Sequence, residues 1–219
     1  MKTLIFCVVV ATCASNTIAL HAEARSRSRL AASMFSGIQP GHDVVSFAYG
    51  GEGDINSSFA YGFGISYDGI ALSQALTLIL SSEVNFIRAE TDPIDEQSGG
   101  SPEAQFRYRA IPILMWGELH QPGVFGPFLK LGIGAVHSAI DEEYHNWSEL
   151  DLSCDFWSFA CGAGAGVRYC PMEHLDVLLV GEGFFGTGSG VATNAFGDSF
   201  ESGSPFDVWQ IGVRLRGWF

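Results

Sequence analysis

The residue types able to do covalent or metal chemistry gather between positions 137 and 170. His137-Ser138 sets an imidazole beside a hydroxyl, the two groups that an activated serine nucleophile requires. Asp141-Glu142-Glu143 with His145 offers hard ligands to a divalent cation, but the glycine and ordered ligand spacing of an EF-hand are missing. Cys154, Cys161 and Cys170 match neither a zinc site nor a thioredoxin-type pair. On one strand, rising about 3.3 Å per residue, Cys154 and Cys161 would stand about 20 Å apart, too far to bridge. Free thiols, or pairing with a partner, are expected. The recurrent Gly-x-Gly steps are strand positions of period two, not a phosphate-binding loop, because no Gly-Lys-Ser/Thr follows. No catalytic, cofactor-binding or metal-binding set emerges, and no cofactor is implied.

The elements that carry these residues must therefore be read for what else they do. A chain of 219 residues suits one domain, and 27 glycines with 17 phenylalanines and 16% charged residues suit neither a disordered chain nor a helical bundle. The net charge of −13 argues against nucleic acid and against an anionic membrane surface, which both need clustered Lys and Arg. Residues 1–24 read as a cleaved secretory leader. Lys2 gives the positive start and 4–14 the short apolar stretch, and Ala22-Glu23-Ala24, or earlier Thr17-Ile18-Ala19, gives the small residues of a cleavage site. Residues 25–41 read as a Ser/Arg/Ala tether ending in Gln39-Pro40-Gly41, with no strand pattern. No later segment has the roughly 18 unbroken apolar residues of a spanning helix, so membrane passage by 42–219 requires a closed barrel.

Strands are expected near 43–52, 58–67, 74–87, 105–117, 126–137, 156–169, 173–186 and 206–219. The last has the cleanest alternation: Trp209, Ile211, Val213, Leu215 and Phe219 share one face, with Gln210, Gly212, Arg214 and Arg216 on the other. Leu129, Leu131, Ile133 and Ala135 stand opposite Lys130, Gly132 and Gly134 in the same way. A soluble sandwich also alternates, but its wet side is normally rich in Thr, Lys and Glu rather than in glycine runs. Trp157, Phe159, Tyr169, Trp209 and Phe219, with Phe106, Tyr108 and Trp116, read as aromatic girdles at the two membrane interfaces. Long links (88–104, 138–155, 187–205) alternate with short ones (68–73, 118–125, 170–172), as outer loops alternate with periplasmic turns. The fold class expected is all-β: a closed, antiparallel, up-and-down transmembrane barrel of about eight strands.

With apolar faces toward lipid, Glu52, Glu83, Asp176 and Glu182 point inward, as do Arg107, Arg109, Lys130, Arg168, Arg214 and Arg216. An eight-stranded barrel is only wide enough for side chains to fill, so these charges must pair. Glycines on the same face leave room for the long arginines. Such an interior is either a salt-bridge plug or a gated polar path, and the sequence leaves both open.

The chain resembles the small outer-membrane barrels of the OmpA transmembrane-domain, opacity-protein and OmpW-like group. Three stretches carry the likeness: Gly126-Pro127-Phe128-Leu129-Lys130-Leu131-Gly132-Ile133-Gly134; Phe159 to Tyr169 with Leu175 to Phe185; and Ile211 to Phe219. The resemblance covers 42–219. It implies the bacterial outer membrane as location, with outer-membrane lipid and lipopolysaccharide around the barrel. Phe219 would be the signal read by the barrel-assembly machinery, and no domain would follow the closing strand.

Some barrels of this shape are lipid A deacylases, which need a His-x-Ser pair on the penultimate strand. Here that region reads Val180-Gly181-Glu182-Gly183-Phe184-Phe185, so no enzyme is expected. The acidic loops, through Asp92, Asp95, Glu96 and Glu103 and through Asp141 to Asp155, would face the environment, bridged to lipopolysaccharide by ambient Mg²⁺ or Ca²⁺ or bound to host ligands. The expected function is a narrow channel for small, partly hydrophobic solutes; the alternative is a non-conducting structural or adhesion protein.

Overall fold

The structure is a computed structural model that describes residues 29–40, 44–46, 52–54, 56–73, 75–91, 104–144 and 148–219. The expected leader lies outside the described residues. Among them, strands β1 (Arg29–Gln39), β4 (Ser58–Ser73), β5 (Leu76–Glu90), β6 (Ala104–His120), β7 (Phe125–Tyr144), β8 (Leu152–Met172), β9 (Leu175–Thr193) and β10 (Ser199–Trp218) close into one barrel. All eight neighbouring pairs are antiparallel, and β1 closes the ring between β10 and β4. Two short strands, β2 (Val44–Ser46) and β3 (Glu52–Asp54), pair only with each other in the link between β1 and β4. Among the described residues no helix is long and apolar enough to cross a membrane.

The outward face carries the apolar belt. Met34, Ile38, Phe63, Ile65, Met115, Leu129, Leu131, Ile133, Val213 and Leu215 are exposed, as lipid-facing positions must be. Rings border it: Tyr61 stacks on Phe86 at 5.0 Å, and Phe185 meets Trp209 edge-on at 5.3 Å. Tyr67, Phe125, Tyr169 and Phe219 mark the other rim, beside the short turns at 121–124 and 173–174. Strands β7, β8 and β10 have 20, 21 and 20 residues, about twice the 9–11 that cross a bilayer. Their outer ends therefore stand well clear of the apolar belt.

Two expectations need correction. The first barrel strand is 29–39, not 43–52, and the segment read as a tether is that strand. Its alternation is weak in both size and polarity: Leu30, Ala32, Met34, Ser36 and Ile38 face out, while Ala31, Ser33, Phe35, Gly37 and Gln39 face in. The long links are also shorter than expected, because β7 runs on to Tyr144 and β8 begins at Leu152. Asp141, Glu142, Glu143 and Asp155 thus lie on strands; Asp92, Asp95, Glu96, Glu103 and His145 lie outside the described residues.

Candidate functional site

The interior is built around two layers of charge. In the first, Glu83 of β5, Lys130 of β7, Glu182 of β9 and Arg214 of β10 form a closed ring. Lys130 Nζ lies 2.8 Å from Glu83 Oε2 and 2.6 Å from Glu182 Oε1. Arg214 completes the circuit at 2.5 Å from Glu83 Oε1 and 2.9 Å from Glu182 Oε1. Gln210 donates to Glu182 at 2.9 Å, and Ser81 to Glu83 at 3.1 Å. None of the four charged side chains is more than 2% exposed. Glu83 and Glu182 come from opposite walls, so the ring spans the lumen.

The second layer lies toward the short turns. Arg216 of β10 holds Glu118 of β6 through both guanidinium nitrogens, at 3.1 and 2.5 Å. Arg168 Nε lies 3.2 Å from Asp176 Oδ2, and Trp218 Nε1 donates to the same oxygen at 2.8 Å. Cys170 donates its thiol hydrogen to Asp176 Oδ1 at 2.8 Å, and Arg168 Nη1 lies 2.8 Å from His120 Nδ1. Each layer sets two carboxylates against two basic side chains. A lone charge would carry a desolvation cost of several kcal/mol.

Glycine makes this packing possible. Trp116 of β6 is buried across the backbone of Gly132 and Gly162, and a Cβ on Gly132 would come 2.6 Å from its ring. Lys130 Nζ sits 4.0 Å from the Trp116 ring centroid, a cation–π contact inside the lumen. Beyond the ring, toward the outer ends of the strands, the lining turns apolar: Ile87, Tyr108, Val136, Ile140, Phe184 and Val208 are buried.

Seven of the ten residues expected inside are there: Glu83, Lys130, Arg168, Asp176, Glu182, Arg214 and Arg216. Arg107 and Arg109 are not. They face outward above the apolar belt, where Arg107 pairs with Glu143, and Arg109 with Asp141 at 2.9 Å. Phe106, Tyr108 and Trp116, expected in a girdle, are buried inside instead. β6 is apolar on both faces, and its inner face carries the bulkier rings. Glu52 lies on β3, outside the barrel wall, and its side chain is not among those described. Glu118 and His120 are interior groups that the sequence reading missed. Glu118 shares the parity of Trp116, and a carboxylate on that face of a spanning strand is the signal that would have set the phase of β6.

The candidate chemistry of the sequence is separated. Ser138 is buried inside and bonds Tyr108 at 3.2 Å, while His137 meets Asp155 at 3.3 Å on the outward side. Successive strand residues face opposite ways, so this imidazole and hydroxyl cannot act together. Asp141 and Glu143 likewise face outward while Glu142 is buried inward, where Tyr144 donates to it at 2.9 Å. Among the described residues no group of three or more His, Cys, Asp and Glu side chains is placed to hold a metal ion. Cys154, Cys161 and Cys170 form no disulfide.

No protein-family model matches the chain, and none of the curated proteins matches it. Solved structures do. The outer membrane protease OmpT of Escherichia coli aligns at a TM-score of 0.53 with 10% identity, over 93% of this chain and 99% of that one. The outer membrane protein OprG of Pseudomonas aeruginosa gives 0.52 at 12% identity, over 88% and 95%. A major outer membrane protein of Thermus thermophilus gives 0.52 at 12%, over 86% and 99%. At these identities the likeness is one of fold. With its closed eight-stranded wall, apolar outward belt and paired interior, the chain has the fold of the outer-membrane β-barrels.

Proposed function

We propose that this protein is a surface-exposed barrel closed to ions and solutes, acting through the outer ends of its strands and the links between them. The observation that carries this reading is the ring of Glu83, Lys130, Glu182 and Arg214, whose members reach from four strands and leave no charge unpaired. Opening a path would break several desolvated ion pairs at once. The projecting strands present a different surface: Arg88 with Glu90, Arg107 with Glu143 and Arg109 with Asp141. Such mixed charge suits lipopolysaccharide headgroups or a host surface ligand. The exposure of Phe219 at the short-turn rim supports reading it as the assembly signal.

The test is to fold the chain in detergent, verify a heat-modifiable gel shift and record current in a planar bilayer. A folded, silent barrel is expected. Shortening 145–151 and 194–198 should then abolish surface binding without unfolding the barrel. Discrete conductance steps would instead favour the second reading, a narrow channel for small, partly hydrophobic solutes. The apolar lining between the ring and the outer ends supports that alternative.

A further inference from the structure

We propose that His120, at the short-turn end of the lumen, is a proton-operated latch: neutral, it holds one arm of Arg168; protonated, it lets that arm go. The claim goes beyond the closed-barrel reading, because the ring of Glu83, Lys130, Glu182 and Arg214 contains no imidazole.

Nδ1 of His120 stands between two partners of opposite kind. Arg168 Nη1 lies 2.8 Å away, and the carbonyl oxygen of Gln121, in the turn after β6, lies 3.2 Å away. A guanidinium nitrogen can only donate, and a carbonyl oxygen can only accept. With a lone pair Nδ1 therefore bonds Arg168, and with a proton it bonds Gln121. The 2.8 Å contact belongs to the first state, a neutral ring with its hydrogen on Nε2. The ring is buried, and Nε2 has no hydrogen-bond partner among the described residues. Nε2 carries hydrogen in both states, so only Nδ1 changes partner.

The surroundings give the change a consequence. Arg168 on β8 is the cation in contact with the ring, and the carboxylates within its electrostatic reach are Glu118 on its own strand and Asp68 on β4. Across the ladder its neighbours are uncharged, Thr77 on β5 and Phe128 on β7. Asp176 of β9 and Arg216 of β10 complete the layer, engaged with Arg168 and with Glu118. A proton on the ring sets two cations against each other with no lone pair between them. Arg168 is the one that moves, since Glu118 and Asp68 hold the imidazolium. Arg168 also pairs with Asp176, which accepts the thiol hydrogen of Cys170 and the indole hydrogen of Trp218. Moving Arg168 therefore loosens the cluster around Asp176, and the buried Cys170 thiol reports it.

The experiment follows the modification of Cys170 by 4,4′-dithiodipyridine, which still reacts with thiols in acid, in the folded chain in lipid vesicles, with the site read by peptide mapping. Rates are taken at about pH 7.5 and about pH 5.5, either side of the imidazole range. Each is divided by the rate for the urea-unfolded chain at the same pH. The normalised rate is expected to rise several-fold at the lower pH. His120→Asn, whose amide oxygen can accept from Arg168 but does not titrate, should abolish the rise. His174→Asn, in an exposed turn, should keep it. No rise overturns the proposal, as does a rise that folded His120→Asn retains. Should that variant fail the heat-modifiable gel shift, nitrogen-15 NMR of the histidine-labelled parent chain decides. Nδ1 of His120 is expected bare at the higher pH and protonated at the lower, and the same state at both overturns the proposal. Ion current in a planar bilayer at neutral pH reads the closed-barrel reading alone, so the two fail independently.

Discussion

Arg216 on β10 and Glu118 on β6 face each other from opposite sides of the barrel, joined by two hydrogen bonds of 3.1 and 2.5 Å. They lie 98 residues apart in sequence, so the pair forms only when the wall has curved into a closed ring. It ties the closing strand to a strand that no backbone hydrogen bond connects to it. The interior charges are thus cross-members of the barrel as well as its plug.

Removing one partner strands the other in a desolvated place. Arg216→Met is expected to destabilise the folded barrel by about 3–5 kcal/mol, read from urea unfolding in lipid vesicles followed by tryptophan fluorescence. Adding Glu118→Leu should recover most of the loss. A double variant no more stable than the single would show that the packing of Arg216, not its charge, matters.

Trp116 depends on the absence of side chains beneath it. A Cβ on Gly162 would meet the Trp116 ring and come 2.8 Å from Leu114 Cδ2. Gly162→Ala should therefore cost about 1–3 kcal/mol, the usual range for overpacking, and weaken the near-ultraviolet dichroism of the buried indole. Gly217→Ala, where nothing lies within 4 Å of the added carbon, is the matched control and should leave both unchanged.

How much of this was legible depends on the contrast between a strand's two faces. Over 129–134 of β7 and 209–216 of β10 the outward positions are bulky and apolar, and the inward ones are Gly, Lys, Arg and Gln, so phase and interior charges follow from period two. On β6 both faces are apolar, and Ile113 and Met115 outside compete with Leu114 and Trp116 inside. The larger rings won the reading, and Arg107 and Arg109 went with the wrong face. The error on β1 has the opposite cause. Small residues stand on both of its faces, Ala32 and Ser36 outside and Ala31, Ser33 and Gly37 inside, so the strand looks like a low-contrast tether. Which charges pair was beyond the sequence, because partners such as Lys130 and Glu182 meet only across the closed lumen.

The phase of β6 can be read directly. Spin labels at Ile113 and Met115 should show high collision rates with oxygen, the signature of lipid contact, and labels at Ala110 and Leu114 low rates. Labels at Arg107 and Arg109 should collide instead with a water-soluble nickel complex, since they stand above the apolar belt. Oxygen contact at 114 with protection at 113 would reverse the assignment of this strand.

Cys161, Cys154 and Cys170 share β8 but meet three environments. Cys161 faces outward and is exposed within the apolar belt, Cys170 bonds Asp176 inside, and Cys154 lies buried with Leu152 and Ala192 toward the outer end. Thiol reactivity follows access to reagent. In folded protein in lipid vesicles, a membrane-soluble maleimide should therefore label Cys161 alone of the three, while a charged, impermeant thiosulfonate labels none of them. Urea unfolding should open all three to either reagent. Labelling of Cys161 by the charged reagent in the folded state would place that stretch of β8 in water and move the apolar belt along the barrel. Labelling of Cys170 by the membrane-soluble one would mean that the layer around Asp176 opens readily, which the closed-barrel reading forbids.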